Sequence, residues 1–150
     1  MDKVYVHDGG KFDINKFTPI KNRDFVKPFG GLWGSPVDSN YGWREWCKAN
    51  NFGNDRYDDE SNSFMFKLKP DAKLLYIDNA DMLKELPIIH NEIFDKCCIL
   101  LDFEKLAENY DAIEVSISSD RQLYWDLYGW DVDSILVMNP NAIEVIGDIV

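Results

Sequence analysis

Residues 27–36, read as KPFGGLWGSP, combine residue types that suit a binding pocket. Glycine has no Cβ, so a ligand can approach the backbone closely at Gly31. Tryptophan offers a large flat face for stacking, and Trp43 follows Trp33 after only nine intervening residues. Together with the hydroxyl of Ser35, these residues predict the wall of a pocket for a flat, polar molecule.

Ionisable side chains elsewhere suit chemistry in such a pocket. His7 ends an apolar segment and precedes the glycine pair that begins at Gly9. Asp131 and Asp133 flank a valine, and in an extended segment they lie on one face. A carboxylate in a water-poor pocket stabilises positive charge that develops in a transition state. The two aspartates therefore suit such a site. Catalytic roles for His7, for both aspartates and for Glu114 are implied by the family resemblance given below.

Each of these residues also has a purely structural interpretation. A histidine at a strand end, such as His7, often has no ligand, and Trp33 equally suits a hydrophobic core. The two aspartates after Trp130 suit a solvated turn. Glu114 alternates with its apolar neighbours Ile113 and Val115, so its side chain is expected on a solvated face.

The hydrophobic pattern predicts the elements that position these residues. Strands are predicted at 3–7, 64–69, 73–77, 110–117, 134–138 and 142–146, and helices at 40–50, 79–86, 88–110 and 119–128. Residues 18–36 are rich in glycine and proline and read as a loop. Asp102 is predicted to cap a helix within the third helical segment, and Ser119 to cap the fourth through a capping box with Gln122. Residues 1–150 are therefore predicted to form a single α+β domain with a mixed or mostly antiparallel sheet.

The composition limits the classes of function. The chain is 45% hydrophobic, enough for a core, and its net charge of −11 disfavours general binding to nucleic acid or to anionic lipid. Its three cysteines lack the spacing of a disulfide framework or a zinc site. The N-terminus lacks a signal-peptide pattern, and no apolar run is long enough to span a membrane. These features predict a cytoplasmic protein without a metal or a membrane partner.

Four segments, taken in order, resemble the histidine-type branch of the ADP-ribosyltransferase fold, the diphtheria-toxin and poly-ADP-ribose-polymerase group. They are YVHDGG at 5–10, KFDINKF at 11–17, GGLWGS at 30–35, and a tail formed by YDAI at 110–113 and SILVMNPNAI at 134–143. The first is similar to that branch's opening strand, whose histidine lies in a Tyr-His-Gly setting. The third is similar to its second strand, which carries an aromatic residue and a serine beside the nicotinamide. The tail resembles the closing half of many such domains.

This resemblance implies a mixed, mostly antiparallel split sheet with flanking helices and a cleft that binds NAD. It implies cofactor contacts at His7, Gly9, Gly31, Trp33, Ser35 and Trp43. The histidine would hydrogen-bond a ribose or the nicotinamide, and the two tryptophans would sandwich the nicotinamide ring. An acidic residue on the closing strand would stabilise the oxocarbenium-like sugar as nicotinamide leaves.

The chain departs from the family pattern at that acidic residue. The family's glutamate aligns with Ser134. A shift of one residue brings Asp133 to that place, with Asp131 two residues before it, and Glu114 on the neighbouring strand is a further candidate. Because some members of this fold have lost the acid and only bind, the departure leaves both catalysis and binding open.

The implied function is an NAD-dependent ADP-ribosyltransferase that transfers ADP-ribose to a macromolecular target, either a protein or a nucleic acid. A small acidic domain of this kind suits a toxin, a phage product or a regulator. One alternative is a module on the same fold that holds NAD or ADP-ribose without chemistry. The other is an interaction or inhibitor protein whose acidic surface mimics nucleic acid.

Overall fold

The computed structural model describes residues 3–8, 10–23, 27–39, 42–43, 45, 63–127 and 129–148. Their seven strands are β1 (Val4–Asp8), β2 (Leu32–Pro36), β3 (Ser63–Leu68), β4 (Leu74–Ile77), β5 (Ala112–Val115), β6 (Ser134–Val137) and β7 (Ile143–Asp148). Two short α-helices lie entirely within the described residues, α1 (Phe103–Leu106) and α2 (Arg121–Asp126). Single 3-10 turns or short 3-10 helices occupy Ile14–Lys16, Ala80–Glu85, Phe94–Lys96, Ile117–Ser119 and Pro140–Ala142. The fold is therefore α+β, with a large sheet and little helix in the described residues.

The strands form one sheet in the order β4-β5-β6-β2-β1-β3-β7. The pairing of β4 with β5 is parallel, and the other pairings between described strands are antiparallel. The sheet is curled, as one contact across it shows. The Tyr5 hydroxyl on β1 donates a hydrogen bond to Glu114 on β5 at 2.6 Å. Strands β2 and β6 lie between them in the sheet, and flat neighbours would stand about 4.8 Å apart. The curl thus brings the two side chains together across one face.

Two hydrophobic clusters lie on the two faces of this sheet. On β6, Leu136 belongs to the cluster that also contains Phe103 of α1 and Leu123 of α2. Its neighbours Ile135 and Val137 belong to the other cluster, as alternation along a strand requires. The helices therefore cover one face, and the curl of the sheet encloses the other.

All six predicted strands are confirmed. The loop predicted at 18–36 contains β2, which ends it. The helix predicted at 79–86 is a 3-10 helix over Ala80–Glu85, and most of the helix predicted at 40–50 lies outside the described residues. The helix predicted at 88–110 is wrong over most of its length, because Ile88 pairs with Leu101 in a bridge and only Phe103–Leu106 is α-helical. Asp102 caps α1 as predicted. The cap of α2 is Asp120 rather than Ser119, because the Asp120 carboxylate accepts from the Gln122 amide.

Candidate functional site

A cavity lies at the point where the pairing of β1 with β2 ends. The two strands pair only at Tyr5–Pro36 and Val6–Ser35. The cavity, which we call the Trp33 cavity, has a volume of about 170 Å³ and is lined chiefly by His7, Asp8, Lys27, Trp33, Ser35, Trp43 and Ser134. Pockets for drug-sized ligands measure about 300–1,000 Å³. The Trp33 cavity therefore has room for one ring-sized group of a larger ligand.

His7 is held across the gap between β1 and β2. Its Nδ1 lies 2.6 Å from the Trp33 carbonyl oxygen, which can only accept, so Nδ1 carries the proton and donates. In the neutral imidazole, Nε2 is then the acceptor. The Phe64 ring lies 5.2 Å from the imidazole, between ring centroids. The histidine therefore has a fixed tautomer and a supported orientation at the edge of the cavity.

The Trp33 ring contacts both an aromatic cluster and a cation. It meets the buried Trp130 edge-on at 4.8 Å between centroids, and Phe103 stacks on Trp130. The Lys27 ammonium lies 4.8 Å from the centre of the Trp33 ring. Burial lowers the pKa of Lys27 below its ordinary value, and attraction to Asp131 opposes that shift in part. The cavity thus joins a rigid aromatic face to a partly desolvated cation.

Ser35 fixes the second tryptophan. Its buried hydroxyl oxygen accepts a hydrogen bond from the Trp43 backbone amide at 3.1 Å. Beside it, a Cβ on Gly34 would lie only 3.0 Å from the Phe66 ring and from the Val6 carbonyl oxygen. The strand that carries Trp33 and Ser35 therefore packs too closely on its neighbours for a larger residue at position 34 without movement.

Ser134 lines the same cavity at the position where the family pattern has glutamate. Its side chain is buried, and its hydroxyl donates to the Val132 carbonyl at 2.9 Å. The residue at this place therefore offers a short, already engaged hydroxyl. It provides no carboxylate for charge stabilisation.

Two of the predicted acids lie in a second cavity of about 370 Å³, which we call the Glu114 cavity. Lys3, Ser39, Glu114 and Asp133 are among its lining residues. Glu114 is only 2% exposed, and it accepts from the Tyr5 hydroxyl and from the Lys3 ammonium. The expectation that Glu114 faces solvent is wrong, because the curled sheet encloses that face as well. The hydroxyl and ammonium donors offset the cost of burying the carboxylate.

The donors to Glu114 titrate at high pH. Burial disfavours the charged form of Lys3, but the hydrogen bond and charge of Glu114 outweigh it and raise the pKa of Lys3. Burial, followed by the same hydrogen bond and charge, raises the pKa of Tyr5 well above its usual range. The tyrosine thus stays a neutral donor, and the three side chains form one paired network.

Asp133 is held by three donors in the same cavity. Its Oδ1 accepts from the Ser118 amide at 2.9 Å. Its Oδ2 accepts from the hydroxyls of Ser118 at 2.7 Å and of Ser39 at 2.8 Å. Both acids of the Glu114 cavity therefore have well-placed hydrogen-bond donors, which is typical of carboxylates that hold a fold together.

The structure divides the predicted site residues between places. His7, Trp33, Ser35 and Trp43 meet in the Trp33 cavity, whereas Glu114 and Asp133 meet in the Glu114 cavity. The chain bends at 132–133, so the alternation that would put Asp131 and Asp133 on one face does not apply, and Asp131 instead acts electrostatically on Lys27. Gly9 lies outside the described residues.

Gly31 lies outside the lining of the Trp33 cavity and has a backbone reason to be glycine. Its φ is +75°, and a Cβ there would lie 2.5 Å from Leu136 Cδ1 and 2.8 Å from Ile20 Cδ1. Only glycine adopts this conformation at low cost. Gly31 therefore turns the chain into β2.

Two lining residues carry charge that the sequence patterns did not single out. Asp8 and Lys27 each lie within a segment already of interest, but a lone acid or lysine gives no signal of its own. Only the pairing of β1 with β2 brings them to one cavity. Among the described residues, no group of three or more histidine, cysteine or acidic side chains is placed to hold a metal ion.

Within the described ranges, no helix has the length and apolar character needed to cross a bilayer. No family model, curated protein or solved structure matches this chain.

Proposed function

We propose that this protein is an ADP-ribosyltransferase-like domain of the cytoplasm that binds NAD⁺ in the Trp33 cavity. One observation carries the proposal. His7 of β1, Trp33 and Ser35 of β2, and Trp43, which follows β2 in the chain, line one cavity. The family resemblance assigns cofactor contacts to all four of them. It also assigns one to Gly31, which does not line the cavity. Their convergence supports a nicotinamide site.

The cavity suits the nicotinamide end of the dinucleotide. A planar ring stacks on an aromatic face, and the braced Trp33 ring provides one. His7 Nε2, as an acceptor in the neutral imidazole, suits an amide or hydroxyl donor of the ligand. The volume of about 170 Å³ holds a single ring, so the ribose and phosphates would extend out of the cavity.

The positions of the carboxylates favour binding of NAD⁺ without transfer of ADP-ribose. Glu114 and Asp133 line the other cavity, where both already accept several hydrogen bonds. Ser134 occupies the place of the family's glutamate in the Trp33 cavity. A nicotinamide site that lacks this glutamate retains its stacking and hydrogen-bonding groups and loses the group that stabilises the sugar cation.

Transfer of ADP-ribose to a protein or nucleic acid is the second candidate, and Asp8 favours it. In this reaction the bond between nicotinamide and ribose C1 breaks, and its electron pair leaves with nicotinamide. A nucleophile of the target then attacks C1 and loses its proton. Asp8 lines the Trp33 cavity, and Asp131 acts on Lys27 beside it. Either carboxylate can stabilise positive charge on the sugar if it approaches the ribose.

Calorimetric titration of NAD⁺ tests the binding proposal. The native chain is expected to bind NAD⁺, and Trp33→Leu is expected to weaken binding about tenfold through lost stacking. Trp125→Leu is the matched control, because Trp125 is 67% exposed on α2 and lies outside the cavity lining. Circular dichroism checks that each variant is folded. Absence of NAD⁺ binding to the native chain at millimolar concentration would show the proposal to be wrong.

Labelled NAD⁺ in a cell lysate separates binding from transfer. If the chain transfers ADP-ribose, label appears on a macromolecule and disappears with Asp8→Asn or Asp131→Asn. If it only binds, no label appears with the native chain. Ser134→Glu then restores a carboxylate at the family's position, and release of free nicotinamide from NAD⁺ is expected to rise.

A further inference from the structure

The Lys27 ammonium occupies the face of Trp33 that a ligand ring would need. Its Nζ lies 4.8 Å from the ring centre, and Lys27 lines the cavity. Trp130 meets the same indole edge-on and braces it. A cation over an indole face is attracted by the negative π-surface. The indole therefore attracts the ammonium to its face.

This position costs Lys27 solvation without giving it an ion pair. Within the described part of the chain, the ion pairs do not include Lys27, although Asp131 attracts it from farther away. Burial lowers the pKa of Lys27, which shows that the site disfavours the ammonium. An anion brought into the cavity mouth would give this ammonium a charge-assisted hydrogen bond, which none of the described residues provides.

NAD⁺ carries a positive and a negative group, and both interact with Lys27. Its pyridinium ring is a cation that would stack on the Trp33 face where the Lys27 ammonium lies, and the two positive charges would repel each other there. Its pyrophosphate is an anion attached through the ribose. A lysine ammonium on a flexible four-carbon stem can move between such positions.

We propose that Lys27 leaves the Trp33 ring for the ligand's phosphate when the nicotinamide stacks, so that the cavity selects ligands that join a cationic aromatic ring to a phosphate. This inference rests on the proposed NAD⁺ site. Lys27 competes with a cationic ring that lacks phosphate, and it assists one that carries phosphate. Its removal therefore has opposite effects on the two ligand types.

Two probes and two variants test this inference. The probes are 1-methylnicotinamide, a cationic pyridinium ring without phosphate, and nicotinamide mononucleotide, which carries a ribose phosphate on the same kind of ring. Lys27→Met removes the ammonium and keeps a stem of similar length. Lys84→Met removes the same charge from an exposed lysine that pairs with Asp81 outside the cavity lining. Binding of both probes to each folded variant is measured by calorimetry.

Lys27→Met is expected to weaken nicotinamide mononucleotide binding about tenfold, the loss typical of a charge-assisted hydrogen bond. It is expected to strengthen 1-methylnicotinamide binding about threefold, since the competing cation is gone. Lys84→Met should change neither by more than about 1.5-fold. Equal changes for both probes with Lys27→Met would overturn the inference and leave the NAD⁺ site standing. Failure of the native chain to bind either probe or NAD⁺ would overturn the proposed function and this inference with it.

Discussion

Both cavities are lined by charged side chains, but these side chains differ in the hydrogen bonds that they make. In the Glu114 cavity, Glu114 and Asp133 are buried and accept hydrogen bonds from hydroxyl, amide and ammonium donors. In the Trp33 cavity, the Lys27 ammonium lies against a ring, and burial lowers its pKa. Hydrogen-bond donors satisfy the buried carboxylates of the first cavity, whereas none of the described residues forms an ion pair with Lys27 in the second. The difference supports a structural role for the first cavity and the proposed ligand site in the second.

Glu114→Ala is expected to produce the largest effect. It leaves the buried Tyr5 hydroxyl without its acceptor and opens a void at a position that is only 2% exposed, so the free energy of unfolding should fall by about 4 kcal/mol. The exposed Lys3 ammonium returns to water and adds little to this loss. The control is Glu144→Ala, whose exposed carboxylate lies 3.9 Å from Lys67 and should cost less than about 0.5 kcal/mol. Urea denaturation measures both. A loss below 1 kcal/mol at Glu114 would make it a candidate for chemistry again.

Gly31→Ala is expected to produce the next largest effect. A Cβ at φ +75° would lie 2.5 Å from Leu136 Cδ1, so strain and overpacking together should cost about 3 kcal/mol of unfolding free energy. NAD⁺ affinity of the folded variant should stay within about twofold of native, because Gly31 does not line the Trp33 cavity. Urea denaturation and calorimetry measure the two quantities. A stable variant with weakened NAD⁺ binding would instead assign Gly31 to the ligand.

The local patterns were sufficient for the strands and insufficient for the acids. Alternation located β3 and β5 to within a few residues, because a strand's two faces depend only on its own sequence, and a nearly continuous apolar run located β6. Whether a face is solvated depends on the rest of the sheet. Glu114 does face away from Ile113 and Val115, but the curl that joins it to Tyr5 also buries it. Nothing local to β5 encodes that curl.

Tertiary contacts also decide the structure of residues 88–110 and the lining of the Trp33 cavity. Residues 88–110 have an apolar pattern that suits a helix, yet tertiary pairing of Ile88 with Leu101 turns most of the segment into a loop. His7 and Trp33 were predictable as residue types that suit a site. Asp8 and Lys27 were not, because they join the site only through the place where β1 and β2 stop pairing.

Asp133→Ala is expected to produce an intermediate loss. It removes the acceptor of the Ser118 amide and of two hydroxyls, so the free energy of unfolding should fall by about 2 kcal/mol. Asp131→Ala, two residues earlier, should cost less than about 0.5 kcal/mol, because no hydrogen-bond network depends on it among the described residues. Thermal and urea unfolding of the pair measure the contrast. Equal losses would mean that the two aspartates share one role.

The smallest predicted effect is a contrast between two lysines at high pH. Lys3 has a folded-state pKa above its ordinary 10.5, so its contribution to stability is fully present below that value and is lost as pH rises through the folded-state pKa. Lys27 has a folded-state pKa below 10.5, so the unfolded chain binds more protons between the two values, and this group's contribution to stability rises with pH there. The two cavities thus respond to alkali with opposite signs.

Carbon-13 NMR of the lysine Cε resonances measures both titrations directly. Lys27 should titrate below the ordinary lysine value of 10.5, and Lys3 above it. Assignment comes from Lys3→Met and Lys27→Met. Asp131→Ala should lower the pKa of Lys27 further, since the attraction that opposes the burial shift is then gone. If Lys27 titrates at the ordinary value of 10.5 or above, its ammonium is not desolvated, and the difference between the two cavities disappears at the group on which the ligand exchange depends.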